Sequence, residues 1–237
     1  MTRELFKEAF RIKETQGTVI ADGEQGVKLA VESMKRNRRE LEGYVKRNPL
    51  FLVVLEPVAV PAGPLVVRLM AEAAEKANVG PMAAVAGVLA DLAVADMIAG
   101  GCRVAVVEDG GEVSAVSDMP VDVAFAAGGE PLSRRFGFRL TDFPVGVATS
   151  SGRFSHALSF GDAEAVTVFC RSAGLADAAA TAVGNVVKGE DCRVAIEKGL
   201  AVAESIQGVE GVLILYKGCV GTWGRISQII KVGSPFL

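Results

Sequence analysis

The chain predicts an α+β fold with mainly antiparallel sheets, on three observations. Long helical patterns are interspersed with short β-rich runs that double back at Gly-containing turns, instead of each strand feeding one helix. That order favours antiparallel hairpins with segregated helices over a doubly wound parallel sheet. Half of the 237 residues are hydrophobic while only 6% are aromatic, so Ala, Val, Leu and Ile must fill a large core. The 27 glycines against 9 prolines point to tight turns and close backbone approaches rather than disorder. The length suits a single domain of two intimately packed halves, which the order of elements divides near residue 110.

The elements follow in order. Phe10 to Ile20 reads as two short strands turning at Thr15-Gln16-Gly17, with the β-branched Thr18-Val19-Ile20 in the second. Val27, Ala30, Val31, Met34, Leu41, Tyr44 and Val45 recur at three and four residues and predict one helix face. The basic run Lys35 to Arg39 falls mostly on its solvated side, and Asn48-Pro49 stops it. The apolar run Phe51 to Leu55 reads as a buried strand. Gly63-Pro64 and Gly80-Pro81 each open a helix, the second very apolar and ending at Gly100-Gly101. Arg103 to Glu108 is a strand with a tight turn at Asp109-Gly110-Gly111, and Val121 to Phe125 and Phe143 to Ala148 are further strands. Phe154 to Phe160 and Ala165 to Cys170 pair as a hairpin around Gly161-Asp162. Leu175 to Val187 and Asp191 to Ile206 are helices, the latter with Asp191 as N-cap. Gly211 to Lys217 and Thr222 to Ile230 close the chain as strands.

Composition also bounds function. A net charge of −3 gives no footprint for nucleic acid. The N-terminus lacks the apolar stretch of a signal peptide, and the window Met82 to Ile98 carries Asp91 and Asp96. That window reads as a buried helix, so no membrane partner is expected and a cytoplasmic location is. Cys102, Cys170, Cys192 and Cys219 form no C-x-x-C pair and read as small core residues in a reducing compartment.

Four segments carry candidate chemistry. At Gly80-Pro81-Met82 a helix start offers free N–H groups to an anion, and small residues allow close packing. At Asp109-Gly110-Gly111-Glu112, paired glycines let a ligand lie against bare backbone. Thr149-Ser150-Ser151-Gly152-Arg153 and the sole histidine, His156, gather hydroxyls, a cation and a proton carrier within eight residues. Asp177 and Thr181 are four apart on an Ala-rich helix, so their Cβ atoms share a face roughly 6 Å apart. Such oxygens are costly to bury without partners and suit a hard cation such as Mg²⁺. The alternative is an N-cap at Asp177 and a Thr bonded back to its own helix.

Together, Val79-Gly80-Pro81-Met82-Ala83-Ala84-Val85-Ala86-Gly87, Glu108-Asp109-Gly110-Gly111-Glu112, Ser150-Ser151-Gly152-Arg153 and Ala176-Asp177-Ala178-Ala179-Ala180-Thr181-Ala182 resemble, in order and spacing, a bacterial and archaeal branch of the ApbE-like superfamily. Leu55-Glu56-Pro57 adds to the resemblance, which spans roughly residues 8 to 220. It implies an α+β fold of two related halves. Its best-known members are Mg²⁺-dependent transferases that split FAD and attach FMN to a Thr or Ser of an acceptor protein. The resemblance assigns Asp177 and Thr181 to the metal, and Gly80, Met82, Gly110, Gly111, Glu112, Ser150, Ser151 and Gly152 to the flavin nucleotide, FAD or FMN. His156 matches the position of a catalytic His. The transferases continue His-x-x-Asp-Pro, whereas this chain reads His156-Ala157-Leu158-Ser159-Phe160, and no flavin-stacking N-terminal stretch has a counterpart.

Three functions are therefore in view: a Mg²⁺-dependent flavin transferase; a non-catalytic nucleotide- or metabolite-binding accessory protein, as relatives in anaerobes suggest for sulfur assimilation; and a structural homo-oligomer whose Ala-rich helices pack between copies.

Overall fold

A computed structural model describes residues 4–124, 136–151 and 161–231. β1 (Phe6–Ile12) and β2 (Thr15–Ala21) form the first hairpin. Its turn is Lys13-Glu14, with Lys13 at φ 56°, and not Thr15-Gln16-Gly17. Gly17 belongs inside the strand because a Cβ there would collide with the carbonyl of Glu108 on the next strand.

α1 (Glu24–Arg47) buries Val27, Ala30, Met34 and Leu41, and the Asn48 N–H closes it onto Tyr44 and Val45. Residues after Pro49 do not make the expected strand. They form one helical turn, α2 (Leu50–Val53), whose Phe51 packs edge-on against Tyr44 while Leu50 and Val53 are 79% and 65% exposed. A short apolar run fits either a strand or a helical segment, and periodicity alone does not separate them. α3 (Leu65–Ala77) starts after Pro64 and ends at left-handed Asn78. A 3-10 turn at Pro81–Ala84 leads into α4 (Val85–Ala99).

β3 (Val104–Asp109) and β4 (Glu112–Ser117) make a hairpin, followed by β5 (Val121–Ala124), β6 (Phe136–Leu140), β7 (Val145–Ser150) and β8 (Ala165–Cys170). α5 (Ala173–Val186) and α6 (Cys192–Ser205) come next, with Asp191 accepting the Arg193 and Val194 N–H groups as N-cap of α6. β9 (Val209–Tyr216), β10 (Cys219–Gly224) and β11 (Gln228–Lys231) end the described chain. The single terminal strand expected over Thr222 to Ile230 is thus two strands, because Gly224 turns the chain at φ 70° and sends β11 to a different sheet. The segment from Phe154 to Phe160, expected to pair with β8, lies outside the described residues.

Eight strands form one antiparallel sheet in the order β1-β2-β3-β4-β7-β8-β9-β10, and three form a second in the order β11-β6-β5. Each run of four strands in the large sheet has helices inserted between its second and third: α1 to α4 in the first, α5 and α6 in the second. Alternation along β3 sorts the two faces. Ala105 and Val107 join the helices in one core, while Val104 and Val106 join Phe138 and Leu140 of the small sheet in another.

The stretch Pro81–Ala99 is long and apolar enough, with a mean hydropathy of 1.9, to cross a membrane by composition. Here its α4 portion packs against α1, α5, β3 and β4, which accounts for apolar residues all round it. The cysteines depart from expectation. Cys102 and Cys170 are free, but Cys192 and Cys219 are joined as a disulfide that ties α6 to β10. The first residue of α6 lies over the first residue of β10, with Cα atoms 6.3 Å apart, within bridging reach.

Candidate functional site

The site forms where α4, α5 and the β3–β4 hairpin meet. α4 and α5 approach so closely that a Cβ at Gly87 would collide with the Ala173 carbonyl. This contact lets the two helices cap each other. Asp91 of α4 holds the start of α5: Oδ1 accepts the Ala173 N–H (3.0 Å) and the Ser114 hydroxyl (2.7 Å), while Oδ2 accepts the Gly174 N–H (3.0 Å) and the Ser172 hydroxyl (2.7 Å). Ser172 Oγ in turn accepts the Leu175 N–H as N-cap of α5. Reciprocally, Asp177 of α5 sits at the start of α4, where its Oδ2 accepts the Gly87 N–H at 3.1 Å and the Ala86 N–H also contributes. A carboxylate suits the positive end of a helix. The N–H groups anticipated for an outside anion at this helix start are therefore partly taken by the protein's own Asp177.

Asp177 is nonetheless not saturated as Asp91 is. Thr181, one turn on and half-buried, makes no side-chain hydrogen bond among the described residues, so the alternative of a Thr bonded back to its own helix is not what the structure has. Two further acids lie near. Asp109 ends β3 and Glu112 begins β4, opposite each other across the Gly110-Gly111 turn. The turn needs positive φ at both residues, 69° and 119°, which glycine supplies. Burial pushes the Asp177 carboxyl up to about 7, with repulsion from Asp109 and Asp91 adding to it and the Gly87 and Ala86 N–H groups opposing it. Burial, then Glu108, pushes Asp109 up to about 7 against the pull of Arg38. Burial raises Glu112 well above the carboxylate range, helped by Asp177 and Asp109. These groups repel one another across a region of low polarity, an arrangement that a cation would relieve.

No three His, Cys, Asp or Glu side chains among the described residues are arranged to hold a metal ion. Mg²⁺ does not require such a cage, since it keeps waters or substrate phosphates beside one or two protein oxygens. The Asp177 carboxylate and the unpartnered Thr181 hydroxyl fit that pattern.

A cavity of about 540 Å³ opens between α1, α2, α4 and the β3–β4 turn; of the acid cluster only Asp109 lines it, and Asp177 and Thr181 are not among its lining residues. Met82, Ala86, Asp109 and Gly110 line it on one side, and Thr15, Arg38 and Leu52 on the other. Arg38 is the member of the basic run that turns inward, bonding to Thr15, Glu14 and Glu42. A smaller cavity of about 220 Å³ lies on the opposite face of the sheet, where Gly111 and Thr149 meet Glu108 and Phe138. The expected nucleotide residues therefore divide. Met82 and Gly110 line the larger cavity and Gly111 the smaller, while Glu112 stands between Asp109 and Asp177 in charge. Ser150 ends β7 and Ser151 is buried next to it. Gly80 lines neither; a Cβ there would collide with the Val54 carbonyl, so its smallness serves packing. Gly152 and His156 lie outside the described residues.

Sequence reading missed Asp91 and Asp109. Asp91 carried a signal, as a carboxylate in an otherwise apolar helix four residues after a glycine. Asp109 reads in the sequence only as part of the tight turn, and the turn pattern does not say that β3 places it on the face that carries the helices.

A family model described as AbpE bacteria matches residues 4–210. Among curated relatives, a UPF0280 protein of Methanococcus vannielii is 39% identical over 233 residues, covering 96% of this chain and 94% of the relative. A UPF0280 protein of Methanosarcina acetivorans is 37% identical over 229 residues, covering 95% and 89%. Among solved structures, the apo flavinyl transferase ApbE of Pseudomonas stutzeri superposes with a TM-score of 0.60 at 17% identity, covering 93% of this chain and 94% of that one. The ApbE protein of Thermotoga maritima does so with a TM-score of 0.58 at 14% identity, covering 96% and 97%. At these identities the structural likeness is one of fold.

Proposed function

The chain belongs to the AbpE bacteria family, of ApbE-like fold, and from that premise we propose that it binds a flavin nucleotide, FAD or FMN, with Mg²⁺ in the cleft beside Asp177, as a relative of the flavin transferases. The single observation that carries this reading is the face of α5. Asp177 keeps acceptor capacity beyond its helix-capping bond, Thr181 keeps a free hydroxyl one turn on, and both lie beside acids that a cation would relieve. When bound, Mg²⁺ supplies neutralisation of diphosphate charge and stabilises a leaving phosphate.

The chain's own residues have separate parts in this reading. Asp177 and Thr181 offer oxygens to the metal. Gly110 presents backbone without a side chain, so a ligand can lie against the turn. Met82 and Leu52 give the cleft apolar walls for a planar ring and exclude water from it. Ser150 and Ser151 add hydroxyls at the end of β7, and His156, placed by sequence just beyond them, is the proton carrier. Transfer would break the FAD diphosphate, release AMP and pass FMN to a hydroxyl of an acceptor protein. Incubation of the protein with FAD and Mg²⁺ tests this: with water in place of the acceptor hydroxyl, FMN and AMP should accumulate with Mg²⁺ and not with chelator, and Asp177→Ala should abolish it. Full turnover by that variant would defeat the metal assignment.

A second reading has its own support, the missing Asp-Pro after His156. In that reading the same cleft binds the nucleotide and delivers it to a partner without cleaving it. Flavin binding with no AMP release at any Mg²⁺ concentration would select it.

A further inference from the structure

Asp109, one of the acids beside Asp177, has no hydrogen-bonding task in the fold among the described residues. It is 5% exposed, yet its carboxyl makes no hydrogen bond among the described residues, and it lines the larger cavity. The other buried acid among the described residues, Glu164, accepts the Lys217 N–H at 2.7 Å, and the half-buried Asp91 uses both of its oxygens. Among the described residues no fully buried side-chain oxygen lacks a partner, so the Asp109 oxygens keep access to solvent at the cavity wall, where a partner that arrives from outside can meet them.

The walls around it say what kind of partner. Leu41, Val45, Leu52, Val85 and Leu89 make much of the lining apolar. The facing cation, Arg38, is already held by Glu14, Glu42 and Thr15, so it does not turn toward Asp109 as an ion pair. The volume, about 540 Å³, suits a ligand of small-molecule size. Glu14, Thr15, Gln16 and Glu42 complete the lining but are exposed or half-buried, so Asp109 is its buried acceptor, and a largely apolar heteroaromatic ring that brings an N–H to its edge fits these walls.

We propose that Asp109 is the specificity residue of this cleft, accepting a hydrogen bond from a ring N–H or exocyclic amine of a planar nitrogen heterocycle. The inference rests on the nucleotide reading of the cleft and gives Asp109 a role beyond its charge beside Asp177. Both ring systems of FAD offer such an edge: N3–H on the isoalloxazine and the amine on adenine. A site built to receive an N–H discriminates strongly against loss of that bond.

The test is equilibrium binding of FAD, riboflavin and AMP in chelator, so that no metal contributes, to wild type, Asp109→Leu and Asp109→Asn. Asp109→Leu should weaken FAD at least tenfold. Asp109→Asn, whose amide oxygen still accepts, should stay within a few-fold of wild type. Loss with riboflavin alone assigns the isoalloxazine edge, and loss with AMP alone assigns adenine. Thermal melting provides a second readout: both variants should melt at or above the wild-type temperature, because a carboxylate that repels Glu108 and Glu112 has been removed. Equal FAD affinity in wild type and Asp109→Leu, or a lower melting temperature for both variants, overturns the inference while leaving the nucleotide reading intact. Failure of the wild type to bind any of the three ligands overturns both.

Discussion

Asp91 and Asp177 are the same device used twice with different outcomes. Each is a carboxylate on one helix placed at the N-terminus of the other. Asp91 accepts four hydrogen bonds, two on each oxygen, from Ser114, Ser172, Ala173 and Gly174. Asp177 is held by the backbone at Gly87 and Ala86, and its neighbours across the hairpin are acids rather than donors. The saturated carboxylate has nothing left to offer a ligand, and it fixes where α5 begins. The unsaturated one is positioned by that fixed helix and retains lone pairs. The difference teaches that the site needs both, one to set the register of α4 against α5 and one to keep acceptor capacity beside the acid cluster.

The largest expected effect that could break this comparison is Asp91→Ala. It removes four acceptor contacts and leaves the Ala173 and Gly174 N–H groups unsatisfied, so unfolding in urea should show a loss of about 3 kcal/mol. A loss no larger than that of Asp177→Ala would mean the two caps are equivalent. Gly87→Ala comes next. Its new methyl meets the Ala173 and Gly174 backbone, and overpacking of that kind should cost about 2 kcal/mol in the same assay. It should also push Asp177 off the start of α4. Asp177→Ala should cost about 1 kcal/mol, the usual value of a helix cap, and remove metal binding altogether. That split, small in stability and complete in metal, is what Asp91→Ala should not show.

Much of this was legible in the sequence, for reasons that particular residues make plain. The spacing of Asp177 and Thr181 placed them on one helix face before any coordinates, since helical period is a local property. The Gly110-Gly111 turn was equally local. Asp191 was identified as a cap because an Asp ahead of a helical pattern has few other uses. What was not legible depends on distant partners. The reciprocal caps join residues 81 to 90 positions apart in sequence. Phe51 to Leu55 looked like a strand because a short apolar run carries no period, and only packing on Tyr44 decides for the helical turn. The disulfide was missed because Cys192 and Cys219 meet only once α6 lies over β10.

A further expected effect is in pH dependence. Asp109 and Asp177 have folded-state carboxyls near 7 against an ordinary value of 3.8. The folded state therefore holds more protons than the unfolded one between those values, and the contribution of these groups is full below about pH 4 and lost as pH rises through 7. Exposed acids paired with Arg, such as Asp122 and Asp142, shift the opposite way. The informative quantity is thus a difference: wild type should lose stability relative to Asp109→Asn between pH 4 and pH 7 in chelator. A constant difference across that range would mean that Asp109 is not desolvated as its burial indicates.

The most direct measurement of the central claim is thermal melting of wild type and Asp177→Asn through a Mg²⁺ titration, with the pH held near neutral. Asparagine keeps an acceptor for Gly87 but gives up the charge. The account predicts that Mg²⁺ raises the melting temperature of the wild type by linkage and leaves that of the variant where it was. An equal rise in both proteins would contradict it, because the cation would then be held somewhere other than the unsaturated carboxylate of α5.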